Sequence, residues 1–116
     1  LIHRRTIKFY KKDVRWEFCD EVYNLKNRFS TEHLIQWSLI LHPDVEIEDL
    51  INLRTKKGKK IKIIFEDKID MHREDGWYSP EYGVKVPTKR LTWEVFSRKP
   101  ISFKWIVEYG KDGKKD

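Results

Sequence analysis

Between Val14 and Cys19 the side chains alternate in type: Val14, Trp16 and Phe18 form an apolar row, and Arg15, Glu17 and Cys19 form the opposite one. A period of two puts successive side chains on opposite faces of an extended strand, so the segment buries one side only as a β-strand. The same pattern recurs along the chain. Ile7 and Phe9 alternate with Thr6, Lys8 and Tyr10, and the polar turn Lys11, Lys12, Asp13 joins this run to the next as a hairpin. After a polar connection from Asn24 to Thr31, the run Leu34 to Leu41 places Ile35, Trp37, Leu39 and Leu41 on one face, until Pro43 and Asp44 stop it. Lys60 to Glu66, Leu91 to Phe96 and Ile101 to Tyr109 read the same way, with Gly58 and Ser97 to Pro100 as turns. Val45 to Leu53 fits two patterns. Val45 and Ile47 alternate with Glu46 and Glu48, while Ile47, Leu50 and Ile51 would also line a helix; the strand reading is favoured. About seven to nine short strands without an amphipathic helix predict an all-β chain, an antiparallel β-sandwich or barrel. Glycine patterns of nucleotide-binding folds and internal repeats are absent.

A chain of 116 residues removes only about 65% of its unfolded surface on folding, which supports one core and excludes a large self-contained catalytic scaffold. The expected organisation is a single domain over residues 1–109 and a frayed tail over residues 110–116, which hold no apolar side chain. Charged residues make up 38% of the sequence, but aromatic residues reach 14%, enough ring area to offset chain entropy. Cys19 has no second cysteine for a disulfide or a Cys/His zinc site, and its presence leaves the compartment open. No apolar run approaches the roughly 20 residues of a membrane-spanning helix. The sequence opens at Leu1 with neither an initiator Met nor a signal-peptide pattern, as expected of a mature or excised piece.

The net charge of +6 has a definite location. Arg54, Lys56, Lys57, Lys59, Lys60 and Lys62 lie within nine residues that contain no acid, and they equal the whole excess. They read either as a solvated hairpin tip or as a polyanion contact. Gly76 to Thr88 is the most unusual segment, with three large rings among two Gly and two Pro in a stretch not expected to form a long regular strand. Trp77, Tyr78 and Tyr82 suit stacking on sugars or bases, and Lys85, Lys89 and Arg90 suit carboxylate or sulfate; alternatively the rings plug one end of the core. Asp67, Asp70, His72, Glu74 and Asp75 match no calcium-loop spacing and read as a solvated loop. His3, His33, His42 and Asp20 make an acid/base or metal set only if folding gathers them. No catalytic set, metal site or cofactor motif is visible.

The segments HRRTIKF (His3 to Phe9), VRWEFCDEV (Val14 to Val22), EHLIQWSLILHPDVEI (Glu32 to Ile47) and DGWYSPEYGVKVPT (Asp75 to Thr88) together resemble the C-terminal β-rich region of heparinase II/III-type polysaccharide lyases. GWYSPEYGVKVPT is the most specific part. The resemblance implies a C-terminal antiparallel sandwich that follows an N-terminal helical toroid, its partner in the same polypeptide. It also implies an enzyme that cleaves uronic-acid polysaccharides, such as glycosaminoglycans, by β-elimination between the two parts, in the periplasm or outside the cell. The family's catalytic Tyr, His and Asn and its metal ligands come from the toroid and from His-rich segments earlier in the sandwich. Those motifs do not occur here, so no catalytic or metal residue is carried over and the chain alone is expected to be inactive. Carbohydrate binding through the aromatic segment and the lysines is the role the resemblance leaves to it. The other reading is a stand-alone module that binds polyanions, nucleic acid being the less expected one.

Overall fold

The computed structural model describes residues 1–26, 28–49 and 51–110, and within them the chain is all-β. Nine strands follow one another: β1 (Ile2–Tyr10), β2 (Arg15–Tyr23), β3 (His33–Ile40), β4 (Glu46–Asp49), β5 (Asn52–Arg54), β6 (Lys60–Phe65), β7 (Met71–Tyr78), β8 (Val86–Ser97) and β9 (Ile101–Tyr109). They form two antiparallel sheets packed as a sandwich, one of six strands in the order β1-β2-β9-β6-β5-β4 and one of three in the order β3-β8-β7. The expected tail falls, beyond Gly110, outside the described residues.

The alternating runs locate the core. Trp37 and Leu41 follow the inward phase of β3, Leu91 and Trp93 that of β8, and Phe103 and Trp105 that of β9. With Leu53, Ile63 and Met71 they form one buried cluster joining the sheets. Trp93 is its centre. Its ring stands edge-on to Trp105 (5.3 Å) and Phe65 (5.1 Å) and parallel to Trp37 (6.2 Å, 7° between planes). Such offset and edge-to-face contacts suit the ring quadrupoles.

Several expectations change in detail. The first turn extends one residue further than read, because Val14 takes a left-handed backbone (φ 46°) and β2 begins at Arg15. That conformation is strained for a β-branched residue, and the Val14 carbonyl is held by the Tyr109 N–H at 3.1 Å. Of the segment Val45 to Leu53, Glu46–Asp49 and Asn52–Leu53 are strand, in two short pieces, and Leu50 lies outside the described residues. The reversal between them is set by Asp49, whose Oδ1 accepts the Ile51 and Asn52 N–H groups at 3.0 Å.

The segment read as a solvated acidic loop is largely strand. His72, Glu74 and Asp75 lie in β7 and pair with Thr92, Arg90 and Lys89 of β8. This strand was illegible because it is an outer edge, almost wholly exposed beyond Met71, and it carries no alternation. For the same reason Gly76–Tyr78 and Val86–Thr88 are regular strand, and the irregular part shrinks to residues 79–85. Pro87 is tolerated in β8 because β3 has already ended. The Lys89 carbonyl accepts the Leu41 N–H as the last rung on that side, and Pro87, two residues earlier, turns its ring nitrogen the same way, past the end of β3.

Candidate functional site

The basic segment folds as a hairpin end. Arg54 closes β5, Thr55–Lys59 turn, and Lys60 opens β6. Gly58 has φ 87°, open to glycine and strained for other residues, and the Thr55 N–H to Lys59 carbonyl bond (2.8 Å) closes the turn. Arg54 is spent internally, with Nε 2.6 Å from Glu48. Lys56, Lys57 and Lys59 are exposed on the turn, and Lys60 and Lys62 follow the outward phase of β6.

The six residues singled out in the aromatic segment do not form one platform. Trp77 pairs with Pro87 and Asp75 with Lys89, so Trp77, Pro87, Lys85 and Lys89 share one face of the β7–β8 hairpin. Tyr78 and Arg90 lie on the other face. Tyr78 packs on His42 at 4.9 Å, Arg90 pairs with Glu74 at 2.6 Å, and Tyr82 stands free in the turn. Trp77 is 59% exposed, and Lys85 sits over its ring at 5.8 Å. Lys89 is held by Asp75 at 2.5 Å, and this bond first, then the lysine's charge, holds the Asp75 carboxyl below the usual range. Trp77 therefore offers a ring beside one cation whose side chain has no carboxylate partner among the described residues. Pro43, Val45 and Pro87 wall the shallow cleft next to it.

Topology brings the two features to one end of the sandwich. Val45 lines the Trp77 cleft, and the next residue, Glu46, pairs directly with Arg54 at the base of the Lys-rich turn. The turn after β1, with Lys11 and Lys12, belongs to the same end, because Tyr109 beside it pairs with Ile61.

A second constellation lies inside. On β2 the inward row runs Trp16, Phe18, Asp20, Val22, so a carboxylate takes a core position, and Asp20 is fully buried. Its Oδ1 accepts Arg5 Nε at 2.6 Å and contacts His3 Nε2 at 3.1 Å. Its Oδ2 accepts Trp37 Nε1 (2.9 Å), Trp105 Nε1 (3.0 Å) and an Arg5 guanidinium N–H (3.1 Å). Burial alone pushes this carboxyl up. The Arg5 bonds, followed by those from Trp105, Trp37 and His3, outweigh it and bring the pKa down to about 2. Folding thus gathers His3 with Asp20, but not His33, which lies on Phe29 at 5.1 Å, nor His42. Among the described residues no three His, Cys, Asp or Glu side chains converge to hold a metal.

A folded pKa depressed from 3.8 to about 2 contributes stability that is fully present above the unfolded value and is lost as pH falls through the folded one. The expected result is that unfolding free energy drops by about 2 kcal/mol between pH 5 and pH 1 through this group. Urea melts of wild type and Asp20→Asn across that range check it; an equal acid dependence in both would remove Asp20 as the source. Asp49 and Asp75 shift the same way but are exposed, and solvent screens them.

No curated protein and no solved structure matches the chain. The sequence model of a family described as "Heparinase II/III-like, C-terminal" matches residues 1–106, which span all of β1 to β8 and most of β9. The extent of that match, together with the two-sheet all-β architecture, places the chain in the heparinase II/III-like C-terminal family.

Proposed function

We propose that this chain is the non-catalytic companion sandwich of a polysaccharide lyase acting on uronic-acid polymers, and that its Lys-rich end contacts the acidic chain. The carrying observation is the convergence of the 55–59 turn and the Trp77 cleft at one end. A sugar ring stacks on Trp77 while Lys85 and the turn lysines meet carboxylate or sulfate groups. Reaction needs a base near the proton α to the carboxylate, stabilisation of the enolate-like charge and an acid at the leaving oxygen. On this reading the rest of the polypeptide supplies those groups, and the sandwich holds the polymer in position for them. Such an enzyme works in the periplasm or outside the cell, where its substrate is.

Trp77→Ala is expected to weaken binding to heparan sulfate or alginate by about tenfold while changing stability by less than about 0.5 kcal/mol. Replacing Lys56, Lys57 and Lys59 together by Gln flattens the salt dependence of binding. Isothermal titration at several salt concentrations reads both. Unchanged glycan affinity in both variants rejects the contact. Tight, sequence-tolerant binding of single-stranded RNA or DNA with a steep salt slope would instead assign this end to nucleic acid.

A further inference from the structure

The opposite end of the sandwich carries a continuous apolar seam that the proposed glycan contact does not use. Leu25 is 93% exposed, Phe96 61% and Leu34 50%, with Leu1 and Ile2 also exposed. These residues connect physically. Leu1, Ile2 and Leu25 line one groove beside the β2–β3 connection, and Leu1 and Leu34 line a second groove between β1 and β3. Leu34 faces Phe96 directly across the β3–β8 ladder.

Contiguous apolar area of this kind on a sheet edge marks a contact surface. The two grooves are electrostatically one-sided. Among the described residues no Asp or Glu lines either groove, whereas Lys26 and Arg28 do, along with His3 and Arg5, both of which contact Asp20. A second copy meeting the seam through the same patch would set Lys26 and Arg28 of one copy against those of the other. The family is defined as the C-terminal part of heparinase II/III-like proteins. We propose that the seam Leu25, Ile2, Leu1, Leu34, Phe96 docks the N-terminal part of that polypeptide through an apolar ridge flanked by carboxylates. This rests on the companion-sandwich reading but not on the glycan contact, so its test uses no glycan.

The experiment uses the protein expressed from its complete gene, with Leu34→Cys, Phe96→Cys and, at the other end, Lys57→Cys, each in a Cys19→Ser background. Maleimide labelling of Leu34→Cys and Phe96→Cys is expected to be at least roughly tenfold slower than that of Lys57→Cys, independent of protein concentration. Hydroxyl-radical footprinting of the unsubstituted protein gives the same reading without substitutions, with Leu25, Leu34 and Phe96 protected and Tyr82 oxidised. Equal labelling at all three sites overturns the proposal. So does protection that disappears on hundredfold dilution, which assigns the seam to a second copy, or protection that requires phosphatidylcholine–phosphatidylserine vesicles, which assigns it to a lipid surface.

Discussion

Asp20→Ala is expected to lower the unfolding free energy at neutral pH by about 3–5 kcal/mol, the range for removing one partner of a buried ion pair. The size follows from what is left behind. The Arg5 guanidinium loses the carboxylate that binds it through two N–H groups, and the buried Trp37 and Trp105 indole N–H groups lose their acceptor. Asp20→Asn is less damaging at the carbonyl oxygen, but it turns an NH2 group towards one set of donors, so it belongs nearer to Ala than to wild type. Urea denaturation followed by tryptophan emission measures both. A loss below about 1 kcal/mol for Asp20→Ala would mean that water replaces the carboxylate without strain, and the buried-charge account would fail.

Trp93→Ala is expected to cost about 3–5 kcal/mol, as large aromatic truncations in a packed core do. Trp93 touches rings from both sheets, and its removal leaves a void bounded by Trp37, Phe65, Phe103 and Trp105 that none of them fills without leaving its own contacts. Trp93→Phe separates ring packing from polarity. The Trp93 Nε1 is buried without a hydrogen-bond partner among the described residues, and an unpaired buried N–H costs about 1–3 kcal/mol, which phenylalanine relieves as it gives up part of the ring volume. Trp93→Phe should therefore lie within about 1 kcal/mol of wild type by the same urea titration, since the two effects oppose each other. If it proves as damaging as Trp93→Ala, ring size dominates and the orphan N–H carries no penalty.

How much was legible follows from where each strand sits. β3 and β9 are covered on one face only, so their sequences alternate and their inward rows, Trp37 and Leu41 or Phe103 and Trp105, were readable. β7 has little packed against it beyond Met71, and no period records a face that is never buried. Missing β7 also hid the split in the candidate site. Once residues 76–78 are known to be strand, Trp77 and Tyr78 must point to opposite faces, and Lys89 and Arg90 must face Asp75 and Glu74 across the ladder. Asp20 left a signal in the sequence. It occupies the inward phase set by Trp16 and Phe18, and a carboxylate there demands donors; Arg5 lies opposite it in the first hairpin. The Trp105 donor, 85 residues away, depends on the pairing of β9 with β2, and the Trp37 donor, 17 residues away, on how the two sheets stack; no local pattern encodes either.

The Trp37 N–H comes from the smaller sheet and the Trp105 N–H from the larger one, yet both end on the same oxygen, Oδ2 of Asp20. Greasy faces tolerate sliding, because one aliphatic neighbour replaces another with little loss, but a three-ångström directional bond does not. Asp20 therefore works as a dowel through the two layers. A displacement of one residue pair along either sheet would strand an indole, so the carboxylate fixes which alignment of the layers is the native one, and with it the position of Val45 against Trp77 at the far end.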